Sequence, residues 1–258
     1  MTPIVLMLPA YNEEEALPPL LERARRALAG RTYRVVVVDD GSDDETARVA
    51  AECARDMPLT VVRRPRNGGL GAAMATGLEY VRANVGPDFA LVTMDGDNTQ
   101  DPALIPVMVE RLDRGADLVV ASRFVAGGSM VGVPWERRLL SGGARLLFGR
   151  LLGVQGVRDY TCGYRAYRMG LVHGMARRFR PLVRARGFAV MTELLAKAAA
   201  EGARCEEVPL VLRYDLKPGR SKLRVLPTLA EYGRVLLVAR VDVIRTAPGR
   251  SRAEYASG

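Results

Sequence analysis

Two carboxylates, Asp95 and Asp97, flank Gly96 at the end of an apolar run over residues 89–94. That spacing suits a hard divalent cation: two side chains hold it from one side, and other positions stay open for phosphate oxygens. A cation there would offset the charge that builds on a departing diphosphate. Asp, Gly and Asn are also the residues of an ordinary turn after a strand, so the motif alone leaves both readings open. Two other polar segments end apolar runs in the same way. Pro9-Ala10-Tyr11-Asn12-Glu13 follows residues 4–8, and Asp39-Asp40-Gly41-Ser42-Asp43 follows residues 33–38. Asp39 or Asp40 could accept hydrogen bonds from a base or ribose, and Tyr11 could stack on a base. Asn67-Gly68-Gly69-Leu70-Gly71 matches neither common phosphate-loop pattern. A close strand-to-helix turn accounts better for its glycines.

The elements that must position these groups follow from periodicity. Strands are expected over residues 4–8, 33–38, 59–62, 89–94 and 118–121. Helices are expected over 14–28, 46–54, 72–85 and 102–114. Pro18 and Pro19 fall in the first turn of their helix, where proline is tolerated, and Ser42 or Asp43 is the expected N-cap of the next helix. Strands that are continuous apolar runs and alternate with helices indicate a parallel sheet covered on both faces. The polar turns after its strands then share one edge, where such sheets bind ligands.

The chain has 258 residues, enough for one large α/β domain or two small ones. Three scattered cysteines argue against a disulfide framework and fit a reducing cytoplasm. No leader segment and no run long enough to span a bilayer is expected. The net charge of +9 is unevenly spread. Residues 1–125 carry 14 Arg and no Lys against 19 Asp and Glu, a net −5, whereas residues 126–258 carry 24 Lys and Arg against 10 acids, a net +14. The second half therefore points to an anionic partner: a phosphorylated lipid, an acidic membrane surface or nucleic acid. A solvated arginine-rich surface is the plainer explanation of the same numbers.

In that half, residues 139–152 are apolar and basic. As a helix they could lie on a bilayer with their arginines reaching headgroups, or pack on the sheet. Gly142 and Gly143 weaken the helix. A further helix should follow Gly187-Phe188 up to residue 200. Residues 206–214 read as a strand, 218–223 as a basic turn, 226–244 as a final helix, and 248–258 as a frayed tail.

Pro9-Ala10-Tyr11-Asn12-Glu13, Val38-Asp39-Asp40-Gly41-Ser42, Gly69-Leu70-Gly71 and Asp95-Gly96-Asp97 together resemble the successive signatures of family 2 glycosyltransferases. The resemblance implies an inverting enzyme with the GT-A fold: a doubly wound, mostly parallel α/β sheet with helices on both faces. It implies that Pro9, Tyr11, Glu13, Val38 and Asp40 line the base and ribose. Asp95 and Asp97, with Gly96 between them, would hold Mg²⁺ or Mn²⁺ against the diphosphate. Ser122-Arg123-Phe124, the segment from Trp135 to Ser141, Thr161-Cys162-Gly163-Tyr164-Arg165, Gly187-Phe188 with Glu193, and Arg220-Ser221-Lys222-Leu223 resemble one subgroup. That subgroup is the polyprenyl-phosphate (dolichol-phosphate-like) mannosyl- and glucosyltransferases.

The likeness implies a catalytic set of Asp95, Asp97 and Arg123. Arg123 and Lys222 would bind donor and acceptor phosphates, with Arg213 as a further candidate on the donor. Arg137 or Arg138, with Ser141, Arg220 and Lys222, would hold the lipid phosphate. Residues 1–125 become a nucleotide-sugar-binding half and residues 126–247 an acceptor-binding half. The expected donor is GDP-mannose, the acceptor a polyprenyl phosphate, and the location cytoplasmic and peripheral at the inner membrane face. Relatives can offer a third metal ligand two residues after the second aspartate, a position that is Thr99 here, with Gln100 one further on. Arg213 lies nine residues before Lys222, further than in relatives.

A phosphate monoester is already an anion, so it can attack an anomeric carbon without a general base; the enzyme supplies positioning and positive charge. A hydroxyl acceptor needs a group to take its proton. Asp159 is the candidate for that rival reading, and bracing the Thr161 loop is its alternative role. A nucleotidyltransferase could use a similar metal pair. A basic nucleic-acid binder would explain the +14 half and leave the acidic motifs without a purpose.

Overall fold

The computed structural model describes residues 1–217 and 232–233. β1 (Ile4–Ala10) is buried along its whole length. α1 (Leu17–Ala27) turns Leu17, Leu20, Leu21 and Ala24 toward the core, with proline in its first turn. That spacing is one face of a helix. β2 (Tyr33–Asp39), α2 (Thr46–Cys53), β3 (Leu59–Arg63), α3 (Leu70–Asn84), β4 (Ala90–Thr93), α4 (Ile105–Asp113) and β5 (Leu118–Ser122) then alternate as the apolar runs require. A 3₁₀ turn over Pro102–Leu104 leads into α4.

Ser42 and Asp43 do not cap α2. Its N-cap is Glu45, with no side-chain cap bond. Asp44 instead accepts from the Thr46 amide and hydroxyl, and the Ser42 hydroxyl accepts from the Asn12 amide. The turn is thereby tied to the segment after β1.

The second half continues with β6 (Ser129–Val131), α5 (Trp135–Leu152), β7 (Arg165–Arg168), α6 (Met169–Arg178), α7 (Ala189–Ala200), β8 (Cys205–Pro209) and β9 (Val211–Arg213). The main sheet has the order β3-β2-β1-β4-β7-β5-β8, and β6 and β9 form a separate parallel pair. All main-sheet neighbours are parallel except β7, which is antiparallel to both β4 and β5. This is the doubly wound, mostly parallel sheet of the GT-A fold. Its two halves interleave, since β7 sits between strands of the first half.

β7 and α6 do not show as periodic apolar segments. Arg165-Ala166-Tyr167-Arg168 carries two arginines, yet Arg165 is fully buried. Its guanidinium donates to the Met191 and Tyr160 carbonyls, which replaces the solvent it loses. The strand expected over 206–214 is really two. β8 stops at Pro209, and the buried Leu210 bridges sheets by donating to the Ser122 carbonyl and accepting from the Ser129 amide.

α5 runs unbroken through Gly142 and Gly143. Ala144 and Phe148 are buried, while Trp135, Leu139 and Leu146 are about two-thirds exposed. The helix therefore packs on the body and also presents an apolar face. The final helix expected over 226–244 and the tail over 248–258 lie outside the described residues, apart from Tyr232 and Gly233.

Candidate active site

β1, β2, β4 and β5 run the same way, so Tyr11, Asp40, Asp95 and Arg123 emerge on one edge of the sheet. β7 runs the opposite way, so the residues before it, 159–164, reach that same edge. An antiparallel strand in the middle of the sheet thus delivers a loop to the site that a parallel one would carry to the far side. These segments, with α5 and residues 212–217, enclose a cavity of about 530 Å³.

Pro9, Tyr11, Glu13, Asp40, Asp95, Gly96 and Asp97 line it. Asp40 is bound by the amides of Gly68 and Gly69 and by the Arg64 guanidinium. Gly69 takes φ +82°, a conformation that favours glycine. A Cβ on Gly71 would fall 1.8 Å from the Ala185 carbonyl oxygen. Those glycines serve a close turn and a close approach. The Tyr11 hydroxyl donates to Asp43 at 3.3 Å.

Asp95 is fixed by Gln100, whose amide nitrogen donates to Oδ2 at 2.9 Å and whose oxygen accepts the Asp95 amide at 3.1 Å. Gly163 stands so close that a Cβ there would lie 3.0 Å from Asp95 Oδ1. Asp97 Oδ1 accepts from the Thr99 amide and hydroxyl, and Oδ2 accepts from Lys217 Nζ at 2.5 Å. Burial, and then the neighbouring charge of Asp97, push the Asp95 carboxyl up to about 7. A pair of carboxylates that resists ionising together, beside a lysine ammonium already drawn to one of them, is a donor set that fits a hard dication. Among the described residues no third acid, histidine or cysteine completes the set. Thr99 and Gln100 brace the pair.

Arg123, Arg137, Leu140, Ser141, Ala144 and Thr161 also line the cavity. Arg123 meets Asp159 through two parallel bonds, Nε to Oδ2 and Nη2 to Oδ1, both 2.7 Å. Nη2 also donates to the Thr161 hydroxyl at 2.8 Å. Asp159 is fully buried and further accepts the amides of Arg123, Thr161 and Cys162. Burial opposes its charge, but Arg123 and these amides outweigh that and hold the carboxyl below its ordinary value. Asp159 is therefore the brace of Arg123 and the Thr161 loop, and its lone pairs are committed. Arg137 packs over the Tyr214 ring and donates to its hydroxyl at 3.3 Å. Burial, then Asp159, push the cavity-lining Cys162 thiol up to about 12, which leaves it a poor nucleophile.

Three of the expected site residues sit elsewhere. Val38 is fully buried in the core and does not line the cavity; as part of a β2 packed on both faces it has no free side. Arg213 is half exposed and paired with Asp215, two residues along. Only its backbone serves the site, donating from its amide to the Thr99 carbonyl. Arg138 does not line the cavity; it donates to the carbonyls of Met130 and of the cavity-lining Val133. Arg220 and Lys222 lie outside the described residues. Lys217 is the residue that sequence reasoning missed. Its signal was composition, for it is one of only three lysines in an arginine-rich chain.

The sequence profile of Glycosyl transferase family 2 matches residues 5–174. A dolichol-phosphate mannosyltransferase of Pyrococcus furiosus is 33% identical over 90% of the chain, which spans 62% of that enzyme's length. A polyprenol monophosphomannose synthase of Mycolicibacterium smegmatis is 35% identical over 85% of the chain and 80% of its own length. Among solved structures, glucosyl-3-phosphoglycerate synthase of Mycobacterium tuberculosis with Mn²⁺, UDP and phosphoglyceric acid superposes with TM-score 0.67 at 22% identity, over 95% of this chain and 80% of that one. That likeness speaks for the fold alone. With the profile covering most of the chain and relatives a third identical along nearly all of it, this protein belongs to glycosyl transferase family 2 and is a glycosyltransferase.

Proposed function

We propose that the protein transfers a hexose, mannose in the first instance, from a nucleotide diphosphate sugar to a polyprenyl phosphate, with inversion. The observation that carries this reading is Asp159. Asp159, the acid that the sequence offered as base for a hydroxyl acceptor, does not line the cavity and is spent on a buried bidentate bond to Arg123. A phosphate acceptor needs no such base, and an arginine held rigid at the cavity wall suits it. The relatives named for polyprenol and dolichol phosphates support the acceptor class, and the mannose in their names supports the sugar, with GDP-mannose as the donor to try first.

Residues 1–125 take the donor. Tyr11 and Asp40 face the base and ribose, while Asp95 and Asp97 would hold Mg²⁺ or Mn²⁺. When bound, that cation would supply charge neutralisation at the diphosphate. Arg123 stabilises the departing diphosphate from the opposite wall. Arg137 and Ser141, one turn apart on α5, receive the acceptor phosphate and align its oxygen behind the anomeric carbon. The attacking oxygen is already anionic, so no proton has to be moved at the sugar.

The exposed apolar face of α5, with Arg145 and Arg150 on the same helix, supports peripheral contact with an anionic membrane surface. Among the described residues no helix is long and apolar enough to cross a membrane.

The test is incubation with a panel of nucleotide sugars, Mn²⁺ or Mg²⁺, and a short prenyl phosphate. Glycosylated lipid phosphate is expected from one donor. Nucleotide-sugar hydrolysis without lipid product across the panel would count against the phosphate acceptor.

A further inference from the structure

Lys217 follows the short turn after β9 and reaches back to the acidic pair. Its Nζ lies 2.5 Å from Asp97 Oδ2, and the two side chains are only 10% and 15% exposed. Glu13 and Asp95 add to the negative field around the ammonium. The Tyr214 ring lies 6.0 Å from it. The second oxygen of Asp97 is occupied by the Thr99 amide and hydroxyl. Both oxygens therefore have donors, and a dication arriving at Oδ2 meets an ammonium whose like charge repels it. The Thr99 donors sit two residues along the same turn and cannot leave without unfolding it. The lysine reaches in from another strand on a four-carbon stem with rotatable bonds, so it is the partner able to yield.

We propose that Lys217 is a displaceable counter-cation: a divalent ion takes over Asp97 Oδ2, and the released ammonium, still in the cavity wall, turns to the diphosphate oxygens of the donor. This rests on the reading of Asp95 and Asp97 as the metal pair. Lys217 thus plays two successive parts. It competes with the metal when the ion arrives alone, and it adds a charge-assisted contact once the nucleotide is present. Metal and nucleotide bind better together than either does singly, because the nucleotide gives the displaced ammonium a new anion.

Two titrations test this on the full chain. Free Mn²⁺ is followed by its paramagnetic resonance signal as Mn²⁺ alone is titrated against wild type, Lys217→Met, Lys217→Gln and Asp97→Asn. GDP is then titrated calorimetrically at saturating Mn²⁺ against wild type, the two neutral variants and Lys217→Arg. Loss of the competing ammonium should make Mn²⁺ alone bind about fivefold tighter in both neutral variants, since breaking one buried pair is no longer required. Their GDP affinity at saturating Mn²⁺ should fall about tenfold, and Lys217→Arg should restore most of it. Unchanged or weaker Mn²⁺ binding in both neutral variants, with binding abolished in Asp97→Asn, overturns the role of the lysine and leaves the metal pair standing. Wild-type Mn²⁺ binding in Asp97→Asn overturns the metal pair and the proposal with it.

Discussion

The two walls of the cavity are built on opposite plans. Around Asp40, Asp95 and Asp97 the polar groups are carboxylates: Gln100 and Thr99, a few residues along, hold Asp95 and Asp97, and the amides of Gly68 and Gly69 hold Asp40. Around α5 and the Thr161 loop they are guanidiniums held by distant side chains: Asp159 on Arg123 and Tyr214 on Arg137. The first plan orders the acidic pair by local turn geometry, to which Lys217 adds a donor from far along the chain. The second orders a cation by long-range pairing, and it commits Asp159, which does not line the cavity, to Arg123. One wall is thereby prepared to hold a cation, and the other to hold an anion.

The largest expected effect breaks the donor wall. Asp97→Asn should lower kcat/KM by about a thousandfold at the Mn²⁺ concentration that saturates wild type, because the charge lost is one that the transition state uses. Rates at several Mn²⁺ concentrations would show whether the loss is recovered by more metal.

Breaking the acceptor wall should read out differently, as stability. Asp159→Asn leaves the buried Arg123 without its counter-charge and should cost about 3 kcal/mol, seen in denaturant or thermal unfolding. The sign with pH follows. Asp159 has a depressed carboxyl in the folded state, so its contribution is complete above the unfolded value of about 4 and is lost as pH falls through the lower folded value. Wild type should therefore lose stability relative to Asp159→Asn in acid below about pH 4, and the two curves should converge.

A finer comparison separates neighbours on α5. Arg137→Gln should raise the KM for prenyl phosphate about tenfold and leave the KM for the nucleotide sugar unchanged, since one charged contact to a phosphate is removed. Arg138→Gln, whose side chain bonds backbone carbonyls and does not line the cavity, should leave both within about twofold. Equal effects at the two positions would mean that charge on the helix matters, rather than reach into the site.

The smallest effect concerns the outer face of that helix. Leu139→Ser with Leu146→Ser should weaken binding to phosphatidylglycerol vesicles about tenfold, without altering turnover on a short, water-soluble prenyl phosphate.

The same contrast explains what could be read in the chain. The donor wall was legible because strand ends and the turns after them are local: apolar runs ending in Tyr11, Asp40 and Asp95 announce both the sheet and its ligand edge. Val38 fell on the wrong side of that reading, since a strand covered on both faces leaves no side chain for a ligand. The acceptor wall was legible only in part. Arg123 lines the cavity, but its partner is 36 residues away and joined by a buried bond that no spacing reveals. β7 escaped notice because its buried arginine imitates a surface segment. Lys217 rather than Arg213 reaches the acidic pair because the chain breaks at Leu210 and changes sheets, which alters what the following residues face.

The central claim is that an anionic oxygen attacks without a base. The most direct measurement offers the protein GDP-mannose, Mn²⁺ and an equimolar mixture of a short prenyl phosphate and the matching prenyl alcohol, and determines the products and their anomeric configuration by NMR. Transfer to the phosphate alone, with the configuration inverted from α to β, is the expected result. Transfer to the alcohol, or retention of configuration on either acceptor, would contradict it.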